Sequence, residues 1–158
     1  MLKKLLLVLG VIIGLIFWLI SRQIGQEIGK VAFNSSSIKE EFQINLIKGF
    51  EKSAKQINST TPIMIDTETR MDRVTVGPDI VFIYHYTLVN YNASQINSNR
   101  IQSDLRNSVK ASVCASKEMK ASLEYGGKYK YSYSGKDGQT VGSFVIDGND
   151  CGYTIQIP

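Results

Sequence analysis

The chain has 158 residues, with 18 Lys and Arg against 14 Asp and Glu, a formal net charge of +4. Residues 1–30 hold four of those cations and one acid, so residues 31–158 carry only +1, which excludes the charge footprint of a nucleic-acid-binding domain. Two cysteines, 37 positions apart, and one histidine do not make a zinc spacing.

From Leu5 to Ile20 no residue is charged. Sixteen helical residues reach about 24 Å, a little short of the ~30 Å hydrocarbon core, and Leu2 and Gln23–Ile24 can extend the span. Lys3 and Lys4 precede the run and only Arg22 follows it closely, which favours a cytoplasmic N-terminus and an exported remainder. Ser21-Arg22-Gln23 is a poor cleavage site, so the segment reads as a retained anchor. The expected location is the bacterial inner membrane, single pass, with the domain in the periplasm. On a continuous helix Gly10, Gly14, Gly25 and Gly29 line one stripe. That stripe is either a helix-association face, and so a route to a homo-oligomer, or the ordinary glycine content of a membrane helix.

Residues 1–30 are therefore the anchor and its helical extension, 31–36 a hinge, and 37–158 one domain of a size that supports a core. Ser37 with Glu40 forms a capping box, and Ile38, Phe42, Leu46, Phe50, Ala54 and Ile57 recur at helical spacing up to the Pro62 break. Thr69–Val76 alternates imperfectly, and Gly77-Pro78-Asp79 is a turn. Residues 80–89, IVFIYHYTLV, are β-branched and aromatic throughout, which predicts a central strand apolar on both faces. "PIMID" is a short strand or the entry to the first one.

Ile101, Leu105, Val109 and Val113 mark a second helix ending at Cys114. A third, capped by Ser116 and packed through Met119 and Leu123, stops at Gly126-Gly127. The segment 128–146 is a hairpin, and the tail around Cys151 has room for one more short strand. In an oxidising compartment Cys114 and Cys151 pair. The fold class is α+β: an N-terminal transmembrane helix, then a two-layer domain with a mainly antiparallel sheet and helices on one face.

No constellation of catalytic type stands out. His85 lies mid-strand and reads as a packed residue. Asp66, Glu68, Asp72 and Asp79 cluster before the central strand, but Arg70 and Arg73 interleave with them, so they read as solvated edges and turns. No metal, cofactor or catalytic residue is assigned. Tyr129, Tyr131 and Tyr133 share one strand face, and Tyr84, Tyr86 and Tyr153 are candidates to join it. This face is either core beneath the helices or a protein-binding surface.

The stretch "SVCASKEMKASLEYGGKYKYSYSGKDGQTVGSFVIDGNDC" runs cysteine, short helix, glycine stop, tyrosine strand, Asp-Gly turn, strand and cysteine. It resembles small bacterial periplasmic proteins held by one N-terminal helix. It is also similar in plan, over roughly residues 37 to 151, to the pilotins of type II secretion systems. In those, a disulfide pins the C-terminal segment and a groove binds a helix of the secretin; they are lipoproteins, whereas the first cysteine here is Cys114. The resemblance implies a non-enzymatic envelope or secretion-system accessory that binds another protein. The alternatives are an envelope hydrolase using the carboxylates above, or a toxin-neutralising, immunity-type protein.

Overall fold

A computed structural model describes residues 37–156. The apolar run at residues 5–20, the glycines at 10, 14, 25 and 29 and the hinge 31–36 lie outside the described residues. Within them no helix is long and apolar enough to cross a membrane.

Helix α1, Ser37–Asn58, follows the predicted span. It buries Leu46, Phe50, Ala54 and Ile57, the apolar stripe read from the spacing. A two-residue strand β1, Ile63–Met64, comes next, then β2, Thr69–Gly77, and β3, Val81–Leu88. The β2–β3 connection places both Asp79 and Ile80 at positive φ, 58° and 59°. Aspartate tolerates that region, but a β-branched residue there costs about 1–2 kcal/mol. Burial of the Ile80 side chain and a bond from Lys128 N–H to its carbonyl, 2.9 Å, offset that cost.

Helical structure from 98 to 115, here α2, comprises Ser98–Arg100, a π-helical turn at Ile101–Leu105 and an α-helix Arg106–Ala115. The π-turn has a reason in the sequence. Apolar residues four apart drift about 40° per step around a 3.6-residue helix. One wider turn takes up that drift and lets Ile101 and Val113 both be buried. Ser116 caps α3, Lys117–Glu124, by accepting from Met119 N–H. Gly126 leaves that helix at φ 89°, the left-handed conformation that glycine adopts freely.

Strands β4, Lys128–Gly135, and β5, Thr140–Ile146, complete a five-stranded sheet in the order β1-β2-β3-β4-β5. Three of its pairings are antiparallel, but β3 and β4 run parallel at its centre. The sheet is thus mostly antiparallel, and the central exception follows from the long helical crossover between β3 and β4, which local patterning does not register. Two other expectations are corrected. The outward face of β3 is apolar only in its first half, Val81 and Ile83, and continues with His85 and Thr87, and no strand forms after β5 among the described residues.

Every inward contact given by the helices lands on one face. Phe50 lies 5.1 Å from Phe82 and 5.6 Å from Tyr129, ring to ring. Ser122 on α3 hydrogen-bonds the Tyr129 hydroxyl at 2.7 Å, and Ile101 lies against Gly142. The domain is a two-layer α+β structure. Cys114 and Cys151 are disulfide-bonded, which fastens the tail to the end of α2. Arg106–Asp150 at 2.6 Å and a bond from the Tyr153 hydroxyl to the Cys114 carbonyl at 2.8 Å reinforce the same junction.

Both outer edges are closed by amide side chains. Asn58, at the end of α1, donates to the Val74 carbonyl and accepts from Val74 N–H, both at 2.7 Å, beyond the point where β1 stops pairing with β2. At the other edge Gln102 donates to the Ser143 carbonyl at 2.6 Å. These bonds occupy backbone groups that an incoming strand would use.

Candidate functional site

The strict alternation of β4 puts Tyr129, Tyr131 and Tyr133 on the helix side and Lys128, Lys130, Ser132 and Ser134 on the other. Parallel register sets Phe82 beside Tyr129, Tyr84 beside Tyr131 and Tyr86 beside Tyr133. The rings then stack across strands: Tyr84–Tyr131 at 5.1 Å and Tyr86–Tyr133 at 5.1 Å, with nearly parallel planes in each case. Phe144 of β5 extends the layer, 5.3 Å from Tyr131. Such pairs contribute roughly 0.5–1.5 kcal/mol beyond their buried area.

Of the tyrosines named from the sequence, Tyr129, Tyr131 and Tyr133 are only 6%, 7% and 5% exposed. They are core rather than exposed anchors, because strands on both sides and the helices above enclose them. Tyr84 and Tyr86 do belong to the face, and both keep partial exposure. Tyr153 does not: its hydroxyl is bound at Cys114, and Lys120 Nζ sits 5.6 Å from its ring centre. The two helices reach the layer from its sides, α1 mainly over β2 and α2 over β5. Tyr84 and Tyr86 lie between those contacts.

Burial raises the pKa of all five tyrosines. Tyr129 is pushed up to about 12, and its bond with Ser122 opposes the rise. Tyr84 and Tyr131 are held well above 10 by burial first and by neighbouring tyrosines second. Tyr86 and Tyr133 are also raised by burial. The layer therefore presents neutral phenols. The hydroxyls of Tyr84, Tyr86, Tyr131 and Tyr133 make no hydrogen bond to another described residue.

A second opening lies at the Lys128 end of the sheet, a cleft of about 470 Å³ lined by Gln43, Ile47, Ile80, Tyr125, Asn149 and Ile155 among others. Phe42 of α1 packs against Tyr125 beside it, the rings tilted by 38° with centres 4.1 Å apart.

The carboxylates do not converge. Asp66 accepts from the backbone of Glu68 and Thr69 at 2.7 Å each, shaping the entry to β2. Glu68 accepts from Tyr91, and Asp72 holds Arg70 at 2.5 Å and the Thr87 hydroxyl at 2.6 Å. Asp79 sits at the opposite end of β2 from Asp66, roughly 30 Å away by strand rise. His85 faces away from the tyrosines and bonds Thr75 at 2.8 Å. Its pKa is lowered, chiefly by burial and then by Arg73, with Asp72 opposing and Lys130 adding. Among the described residues no group of three or more His, Cys, Asp or Glu could hold a metal ion.

The sequence matches a family described as "Domain of unknown function (DUF8479)" over residues 45–142, more than half of the chain. The chain belongs to this family. The matched span of this DUF8479 protein runs from the middle of α1 into β5 and so contains the whole tyrosine layer except Phe144. No curated protein matches the sequence.

Among solved structures it is similar to a candidate secreted protein of Pseudomonas aeruginosa, PA3611, at 26% identity and TM-score 0.58, covering 69% of this chain and 95% of that one. It is similar to EpsS, the type 2 secretion pilotin of Vibrio vulnificus, at 13% identity and TM-score 0.57, covering 71% and 96%. It is similar also to AspS, the type II secretion pilotin of Vibrio cholerae, at 19% identity and TM-score 0.55, covering 72% and 99%. The likeness in plan to pilotins, read above from one cysteine pair and the spacing around it, is thus a likeness of fold.

Proposed function

We propose that this domain is a non-enzymatic protein-binding module that takes an amphipathic helix of a partner over Tyr84 and Tyr86, as an accessory of an envelope or secretion assembly. The carrying observation is the stacked tyrosine layer whose middle rings stay partly exposed between α1 and α2. Rigid rings with polar tips offer contact area at small entropic cost, and hydroxyls without a partner among the described residues can meet the polar edge of an apolar helix stripe. The fold shared with two pilotins supports the reading. Residues 5–20 are proposed to anchor the chain in the inner membrane with the domain in the periplasm, for which the likeness to a candidate secreted protein gives support.

The test is a photo-crosslinking residue placed at Tyr86 in the full chain in cells, with Ser132 on the other sheet face as the comparison. The expected result is a specific protein adduct from position 86, lost when Tyr84→Ala is added while the protein stays folded. Equal adducts from both positions, or none from 86, reject this surface.

A further inference from the structure

The face of the sheet away from the helices differs in chemistry from the tyrosine layer. Register places three rows across it: Thr75, Ile83, Lys130 and Val145; Arg73, His85, Ser132 and Ser143; and Arg70 with Asp72, Thr87, Ser134 and Thr140. Lys128 follows at the end of β4. Four cations therefore meet a single carboxylate on the strands, although residues 31–158 as a whole carry only +1. Asp72 is satisfied by Arg70 and Thr87, and Asp147, just past β5, accepts from the backbone of Asn149 and Asp150. Arg73, Lys128 and Lys130 have no ion pair among the described residues.

We propose that this hydroxyl-lined basic face, which no described helix covers, docks on the anionic headgroups of a phospholipid surface. Protein interfaces are depleted in lysine at the centre and rely on aromatic or arginine anchors in an apolar patch. Met64, Val81, Ile83 and Val145 are the apolar groups of this face, interspersed with its cations, serines and threonines, and His85 is its one ring among the described residues. Phosphate oxygens are the natural acceptors for such a set. Each cation near an anionic lipid surface contributes about 1 kcal/mol, and the attraction falls off within a Debye length. Placed on one face of the sheet, three cations without an ion pair among the described residues can act together.

His85 is the only histidine in the chain, at the middle of the face, so it reports on binding without a label. The groups facing it are Asp72, Arg73 and Thr75 from β2 and Lys130 and Ser132 from β4. The experiment follows the His85 ring-proton NMR shift against pH, with the full chain in neutral maltoside micelles doped with phosphatidylglycerol or with phosphatidylcholine. The expected result is a rise of about half a pKa unit with phosphatidylglycerol and none with phosphatidylcholine, because an anion nearby favours the charged imidazole. Arg73→Gln with Lys130→Gln should remove most of that rise. An equal rise in the double variant overturns the proposal, as does no rise with phosphatidylglycerol. A rise that inorganic phosphate, poly-glutamate or a DNA oligonucleotide matches without lipid overturns it too.

Discussion

Replacing Cys114 and Cys151 together by serine removes the bond that closes a 37-residue separation. In the chain-entropy account a loop of that length restricts the unfolded chain by about 4 kcal/mol at 25 °C. The native contacts around the junction remain available, because Arg106–Asp150 and the Tyr153–Cys114 carbonyl bond do not need the sulfurs. The loss should therefore be close to the loop term alone. With an unfolding entropy near 2 cal/mol/K per residue, about 120 folded residues give roughly 0.25 kcal/mol/K. Dividing the two gives a fall in Tm of about 15 °C. Thermal unfolding followed by circular dichroism, oxidised wild type against the double variant, measures it. A fall under about 4 °C would refute the reasoning, since it would mean that the unfolded chain is held together there by something other than the disulfide.

Asn58→Ala removes two 2.7 Å bonds at the edge of β2 and should cost about 1–3 kcal/mol, with concentration-dependent association as the freed edge pairs with another copy; chemical denaturation and light scattering check both. Tyr131→Ala empties a buried ring position and should cost about 3–5 kcal/mol, whereas Ser132→Ala on the outward face should stay within about 0.5 kcal/mol, read from the same denaturation curves. The raised tyrosine pKa values give an alkaline limit. Tyr129 ionises near 12 folded and near 10 unfolded, so its stability contribution is complete below pH 10 and disappears as pH rises through 12. The other four tyrosines of the layer act in the same direction. Absorbance at the phenolate band should show these rings still protonated above pH 10 until the protein unfolds; early ionisation of all eight tyrosines would contradict the burial.

Local features of this protein were legible because their causes are local. The Ser116 cap, the Gly126-Gly127 stop and the period-two alternation of β4 each depend on residues within a few positions, and each stands where the sequence places it. The pairing of the two cysteines was legible from their count and from the expectation of an oxidising compartment. The regular four-residue spacing of Ile101, Leu105, Val109 and Val113 even carried the signal for the π-turn, since an undistorted helix cannot keep those side chains on one face.

Three things were decided only in the folded chain. Parallel pairing of β3 with β4 brings Tyr84 to Tyr131 across 47 positions, and no local pattern fixes the register of strands joined by a helical crossover. The bulge between Met71 and Arg73 turns Asp72 outward onto Thr87, a consequence of matching β2 to β3 rather than of the β2 sequence. Which tyrosines remain partly exposed depends on where α1 and α2 come to rest over the sheet. Alternation assigns a side chain to a face, but how deeply it is covered is set by packing between elements far apart in the chain.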